Sequence, residues 1–74
     1  MARRAIGMTR GRWTLLAILQ LTAAVNVAGR CRVYRQRVTD WANGRDLPCA
    51  AARAALEREY GIPAAAWSQP LRPR

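Results

Sequence analysis

The chain contains no histidine, lysine or phenylalanine, and its 74 residues include only four acids and two cysteines. Each shortage removes a class of chemistry. Without His the usual general base at neutral pH is missing. The acids are Asp40, Asp46, Glu57 and Glu59. Glu57 and Glu59 are two apart, so on a helix they face different directions and form no acid-base pair. Glu57 is better placed to balance Arg53, four residues earlier. Two cysteines alone do not complete a zinc site, and no glycine-rich phosphate loop of recognised spacing is present. The expectation is a protein that is not an enzyme, with no cofactor, metal or small-molecule substrate. Strand signals are as scarce, since no alternating run of β-branched residues occurs.

What the chain has in excess is positive charge. Thirteen basic residues against four acids give a formal charge of +9, which points to a polyanionic partner or an anionic membrane surface. Every basic residue is Arg. Together with abundant Ala, Gly and Pro this indicates GC-rich coding, so part of the charge is compositional. The length allows one domain with one small core.

Stop signals divide the chain into an all-α plan of about five short helices. Residues 1–9 read as a basic flexible arm. A first helix is expected over 10–20, with Trp13, Leu16, Ala17 and Gln20 along one stripe. A second covers 22–30, with Val27 and Ala28 inward, and a third 34–43. Asp46-Leu47-Pro48 opens a fourth that runs to Tyr60, with Ala52, Ala55, Leu56 and Tyr60 at helical spacing. Gly61 stops it, and Pro63 stands at the first position of a short fifth helix ending near Trp67. Residues 68–74 read as a loose Pro/Arg tail. The domain proper is therefore 10–67, with Trp41, Trp67, Leu56 and Ile62 supplying most of the core. Cys31 and Cys49 read first as two small buried hydrophobes in a reducing compartment and second as a disulfide in an oxidising one.

The segment from Cys31 to Pro48 carries most of the information. Val38 and Trp41 are three apart and share a helix side, and Asn43-Gly44 supplies a helix stop. At roughly 100° per residue, Tyr34 joins Val38 and Trp41, while Gln36, Thr39, Asp40 and Asn43 fall opposite. Arg35 and Arg37 lie on the flanks. Gln and Asn pair bidentately with adenine, and Arg with guanine or phosphate. The flanking arginines and Arg45 suit phosphate contacts. Asp40 either accepts from a cytosine amine or orients Arg37. A helix of this kind fits a DNA major groove. The same face also reads as an ordinary solvated surface, and periodicity alone does not choose between the two.

Ala28, Val33, Arg35, Val38, Trp41, Gly44 and Pro48, followed by Leu56, Glu57, Tyr60, Gly61, Ile62, Pro63 and Trp67, stand at a known spacing. Over residues 31–67 the chain resembles the Cro/C1-type (XRE-like) helix-turn-helix family of bacterial and phage DNA-binding regulators; residues 10–30 match poorly. The resemblance implies a lambda-repressor-like bundle whose helix 34–43 enters the major groove. Tyr34, Arg35, Gln36, Thr39 and Asp40 would then meet bases. Arg32, Arg37, Asn43 and Arg45 would meet phosphates, with Arg3 and Arg4 in an arm. It further implies double-stranded DNA as partner, a homodimer as one arrangement, and a cytoplasmic location. Three positions depart from the family pattern. Arg32 stands where the turn usually has Gly, Ala24 replaces a phosphate-clamping Gln, and Tyr34 replaces a Ser or Thr N-cap.

Two other readings compete. Arg3, Arg4, Arg10 and Arg12 ahead of an apolar run from Trp13 to Leu21 make residues 1–28 similar to a secretory signal. The product would be a secreted or membrane-associated basic peptide. As a transmembrane helix, the stretch from Trp13 to Ala28 is too short and too interrupted by Gln20, Thr22 and Asn26. The third reading is a helical protein-binding module of antitoxin or anti-repressor type that keeps the fold without the groove contacts.

Overall fold

The computed structural model describes residues 7–71, so Arg3 and Arg4 lie outside the described residues. Among these there are four α-helices: α1 (Arg10–Ile18), α2 (Ala24–Cys31), α3 (Arg35–Ala42) and α4 (Ala50–Tyr60). The short fifth helix expected after Pro63 is a 3-10 helix over Ala64–Ser68. Pro63 is its cap rather than its first residue. The other helices are each shorter than expected. α1 stops at Ile18 and α2 starts at Ala24, while Tyr34 and Asn43 become the caps of α3. α4 begins at Ala50; Asp46-Leu47-Pro48 ahead of it takes no regular secondary structure, and Cys49 is the extended cap.

Helix ends follow from side chain and backbone chemistry. Thr9 caps α1 by accepting from the Arg12 amide at 3.1 Å, as a hydroxyl at that position should. The N-caps of α2, α3 and α4 are Ala23, Tyr34 and Cys49, and none makes a side-chain capping bond. Past the ends of α2, α3 and α4 the chain turns left-handed. Gly44 and Gly61 both have φ 73°, and Arg32 has φ 56°.

The core gathers one side of every element. α2 packs on α3 and α4, and α1 packs on the 3-10 helix and α3. Trp67, Leu15, Leu56, Ile62, Val27 and Val38 are fully enclosed, and Trp41 nearly so. The expected inward residues Val27, Ala28, Ala52, Ala55, Leu56 and Trp41 are buried. Leu15 joins them from α1, where Gly11 is also buried and lies flat against the Trp67 indole. Of the expected stripe, Leu16 is half-buried against the core while Trp13 (57%), Ala17 and Gln20 are exposed, and Gln20 lies beyond the end of α1.

The expected loose tail is tied down over its first residues. The Arg10 amide donates to Gln69 O at 2.9 Å, the Leu71 amide donates to Met8 O at 3.0 Å, and Thr9 forms an isolated antiparallel bridge with Pro70. Met8 and Thr9 thus belong to the folded unit rather than to an arm, and residues 69–71 close it.

Two side-chain pairings also differ from expectation. Arg53 turns to Pro48 O (2.8 Å) and Ser68 Oγ (3.3 Å) instead of Glu57. Cys31 is buried as expected, but Cys49 is exposed, and both thiols are free. No helix among the described residues is long and apolar enough to cross a membrane. The apolar run from Trp13 to Leu21 is instead divided between α1 and the turn that follows it.

Candidate nucleic-acid interface

The best-defined polar surface is the outer side of α3 and its two ends. Val38, Trp41 and Ala42 sink into the core, which forces the opposite side outward. Gln36 and Asn43 are exposed there, with Thr39 and Asp40 half-buried beside them. Arg35 and Arg37 are exposed on the flanks.

The entry to α3 is a tight turn. The Val33 amide donates to Ala28 O at 3.0 Å and the Arg32 amide to Gly29 O at 3.4 Å. This is the Schellman pattern, in which the left-handed residue is usually Gly. Arg32 occupies it here at φ 56°, ψ 47°. α3 leaves the same way, with the Arg45 amide on Asp40 O at 2.9 Å and the Gly44 amide on Trp41 O at 3.4 Å. Arg45 is thereby fixed just past the helix end, with an exposed side chain.

Nine residues were expected to meet DNA, and their placement is mixed. Arg35, Gln36, Thr39, Asp40 and Asn43 share the outer surface. Tyr34 lines the same cleft as Trp41 but is not buried with Val38 and Trp41. As the cap its backbone is extended (φ −73°, ψ 145°) rather than helical, and its ring is 84% exposed. Arg32, Tyr34 and Arg37 line a cleft of about 490 Å³ between the start of α3 and the start of α4, together with Asp46 and Cys49. The basic residues therefore divide between that cleft and the far end at Arg45.

Hydrogen bonds fix two of the outward side chains. Gln36 Nε2 donates to Asp40 Oδ1 at 3.0 Å, so Asp40 positions Gln36 and not Arg37. Thr39 Oγ1 donates back to Arg35 O at 3.2 Å. The Gln36 amide keeps its carbonyl oxygen and one N–H, which is the acceptor–donor pair that an adenine edge complements.

One residue absent from the sequence-based set holds α3 in place. Arg12 Nε donates to Ala42 O at 2.7 Å. Its distance of 30 positions along the chain left no local signal for it.

On α4, Glu59 meets Arg58 at 3.1 Å and Arg30 of α2 at 3.8 Å. Burial pushes the Cys31 thiol pKa up, with Glu59 adding to the rise and Arg58 opposing it. Among the described residues no three His, Cys, Asp or Glu side chains gather as a metal site. Comparison with protein-family models, with curated proteins and with solved structures gives no significant match.

Proposed function

We propose that the chain binds duplex DNA in a sequence-dependent way, as a bacterial or phage transcriptional regulator. In this reading α2 and α3 form a helix-turn-helix of the Cro/C1 kind, and α3 lies in the major groove. One observation carries the proposal: α3 is anchored from beneath by Val38 and Trp41 while its outer side presents Gln36, Thr39 and Asn43 between two exposed arginines. Such a helix has its base-reading groups at the centre and its phosphate-binding groups at the edges. Gln36, Arg35 and Thr39 read bases, Tyr34 and Asp40 border them, and Arg32, Arg37, Asn43 and Arg45 contact the backbone. A net charge of +9 supplies the sequence-independent attraction.

Selection from a randomised duplex pool with the purified full-length protein, at near-physiological salt, tests this. Enrichment of a short motif is the expected result. Absence of enrichment with steeply salt-dependent retention overturns sequence reading and favours the protein-binding module. That second reading has its own support: Asp40 places a carboxylate on the very surface that would approach phosphates.

A further inference from the structure

The cleft of about 490 Å³ between the starts of α3 and α4 is lined by donors that have almost nothing to donate to. The guanidinium groups of Arg32 and Arg37 are exposed on it, and neither meets an acid or a hydrogen-bond acceptor among the described residues. The one carboxylate on the cleft, Asp46, already accepts the Leu47 amide at 2.9 Å.

The floor adds two more donors. Trp41 is only 3% exposed, and its Nε1–H meets no acceptor in the protein. Among the described residues, Trp67 Nε1 is the one unpartnered side-chain nitrogen or oxygen sealed from solvent. The Trp41 N–H is therefore open, and the opening that Trp41 lines is this cleft. Leaving such a donor unmade is costly where water is scarce, so it marks a place for an acceptor. α4 contributes its first turn. Its cap, Cys49, makes no side-chain bond, so the leading amides of α4 have no protein acceptor, and Ala52 of that turn lines the cleft. Open amides at a helix start favour an anion. Beside these donors lie apolar groups: Val33, Leu47 and the Trp41 ring, with the Tyr34 ring 84% exposed.

We propose that this cleft binds a small phosphate monoester with an aromatic body, the class to which a mononucleotide belongs. The phosphate accepts from Arg32, Arg37, the Trp41 N–H and the open amides of α4. The ring lies against Tyr34 and the apolar wall. A bare inorganic anion would leave that wall unused, and an uncharged ring would leave the arginines without a partner. The volume falls in the range of small-molecule sites. Arg32, Tyr34 and Arg37 are also assigned to the duplex in the DNA reading, so an occupied cleft withdraws them from it. That consequence rests on the DNA reading; binding of the monoester does not.

Titration of the full-length protein with adenosine 5′-monophosphate, without DNA, tests the site by calorimetry and by ¹H–¹⁵N spectra. Saturable one-to-one binding is expected, with the Trp41 indole resonance and the amides of Ala51 and Ala52 moving most. Adenosine and inorganic phosphate should each bind at least about tenfold more weakly. Arg37→Gln should raise the dissociation constant at least about fivefold, whereas Arg10→Gln, which removes the same charge outside the cleft, should change it by less than about twofold. Circular dichroism checks that both variants melt cooperatively. No saturation by about 10 mM, equal binding of inorganic phosphate, equal losses in the two variants, or shifts confined to residues away from the cleft overturns the proposal. Competition is read separately, and the nucleotide should weaken binding of a short duplex while adenosine does not. A nucleotide that fills the cleft without displacing duplex upholds the site and removes Arg32 and Arg37 from the DNA contacts instead.

Discussion

Arg12 on α1 donates its Nε–H to the carbonyl of Ala42, the last residue of α3, at 2.7 Å. A cation at a helix C-terminus satisfies an otherwise unpaired carbonyl and meets the negative end of the helix dipole. This contact sets where α3 ends relative to α1 and so fixes the tilt of the outer surface. Arg12→Met keeps most of the stem but leaves the carbonyl without its donor. A charge-assisted bond of this sort contributes about 1.5–3 kcal/mol. Because the pair is only part-buried, a loss of about 1–2 kcal/mol in chemical denaturation is expected. Faster amide exchange at Gly44 and Arg45 should accompany it. Unchanged stability and exchange would show that the bond is idle.

Gly11 carries a second constraint on α1. A Cβ built there would lie 2.5 Å from Cδ2 of the buried Trp67 ring. Gly→Ala in a helix ordinarily stabilises by up to about 1 kcal/mol. Here overpacking outweighs propensity, and Gly11→Ala is expected to destabilise by about 1–3 kcal/mol. The sign alone decides: a rise in melting temperature would mean that the indole moves aside freely.

These two residues show which parts of the fold the sequence makes legible. Local periodicity finds α3 and α4, because Val38 with Trp41 and Ala52 with Leu56 repeat within a few residues. It also finds both glycine stops. Periodicity reports a stripe without reporting its direction, so the stripe of α1 is legible while the outward turn of Trp13 and Ala17 is not. That orientation depends on Gly11 seating Trp67, more than fifty positions away. The Arg12–Ala42 and Met8–Leu71 contacts are equally non-local. Tyr34 borders the same cleft as Trp41 but stays out of the core for a different reason. A helical wheel does not apply to a cap whose backbone is extended. The site residues on the outer side of α3 were legible because they follow from the position of its anchor.

Arg32 tests the turn between α2 and α3. A non-glycine residue at φ 56° costs about 1–2 kcal/mol through its Cβ, partly offset by the lower chain entropy lost relative to Gly. Arg32→Gly is expected to stabilise the fold by about 0.5–1 kcal/mol in thermal or urea melts. If Arg32 also holds a phosphate, the same variant binds DNA more weakly with a shallower salt dependence. Opposite movement of stability and affinity separates the two roles. A destabilised variant would show that the Arg side chain contributes more than its backbone strain costs.

The two thiols should differ sharply in reactivity. Cys31 is buried and its pKa is raised by desolvation, so little thiolate forms at neutral pH. Cys49 is exposed. Iodoacetamide is expected to alkylate Cys49 in the folded protein and Cys31 only on unfolding, read by mass spectrometry. The same shift has a pH consequence. Tyr60 is also raised, chiefly by burial, and for both groups the folded state favours the protonated form. Their contribution is complete below their ordinary ionisation ranges, near 8.5 for a thiol and near 10 for a phenol. It is lost as pH rises through the folded values. The melting temperature should therefore fall at alkaline pH, and Cys31→Ala should remove the earlier part of that fall. A flat alkaline profile would contradict both assignments.

The Gln36–Asp40 bond makes the sharpest claim about recognition. Asp40 is a liability for general DNA affinity, because its charge repels phosphates. It also consumes one Gln36 N–H at 3.0 Å and leaves the carbonyl and the other N–H to meet a base. If α3 reads bases, Asp40→Asn should do two things at once. Affinity for non-specific duplex should rise as the repulsion disappears. Discrimination at the base pair met by Gln36 should fall, because the neutral amide holds Gln36 less firmly. Gln36→Ala alone should cost about 1–3 kcal/mol of preference at that one position. Combining the two substitutions should cost little further preference there, since residues in one hydrogen-bonded pair act non-additively. Binding measured over the four base pairs at that position, for the wild type, both single variants and the double variant, gives the coupling directly. Strict additivity would separate Asp40 from recognition and leave it as a solvated acid that merely happens to meet Gln36.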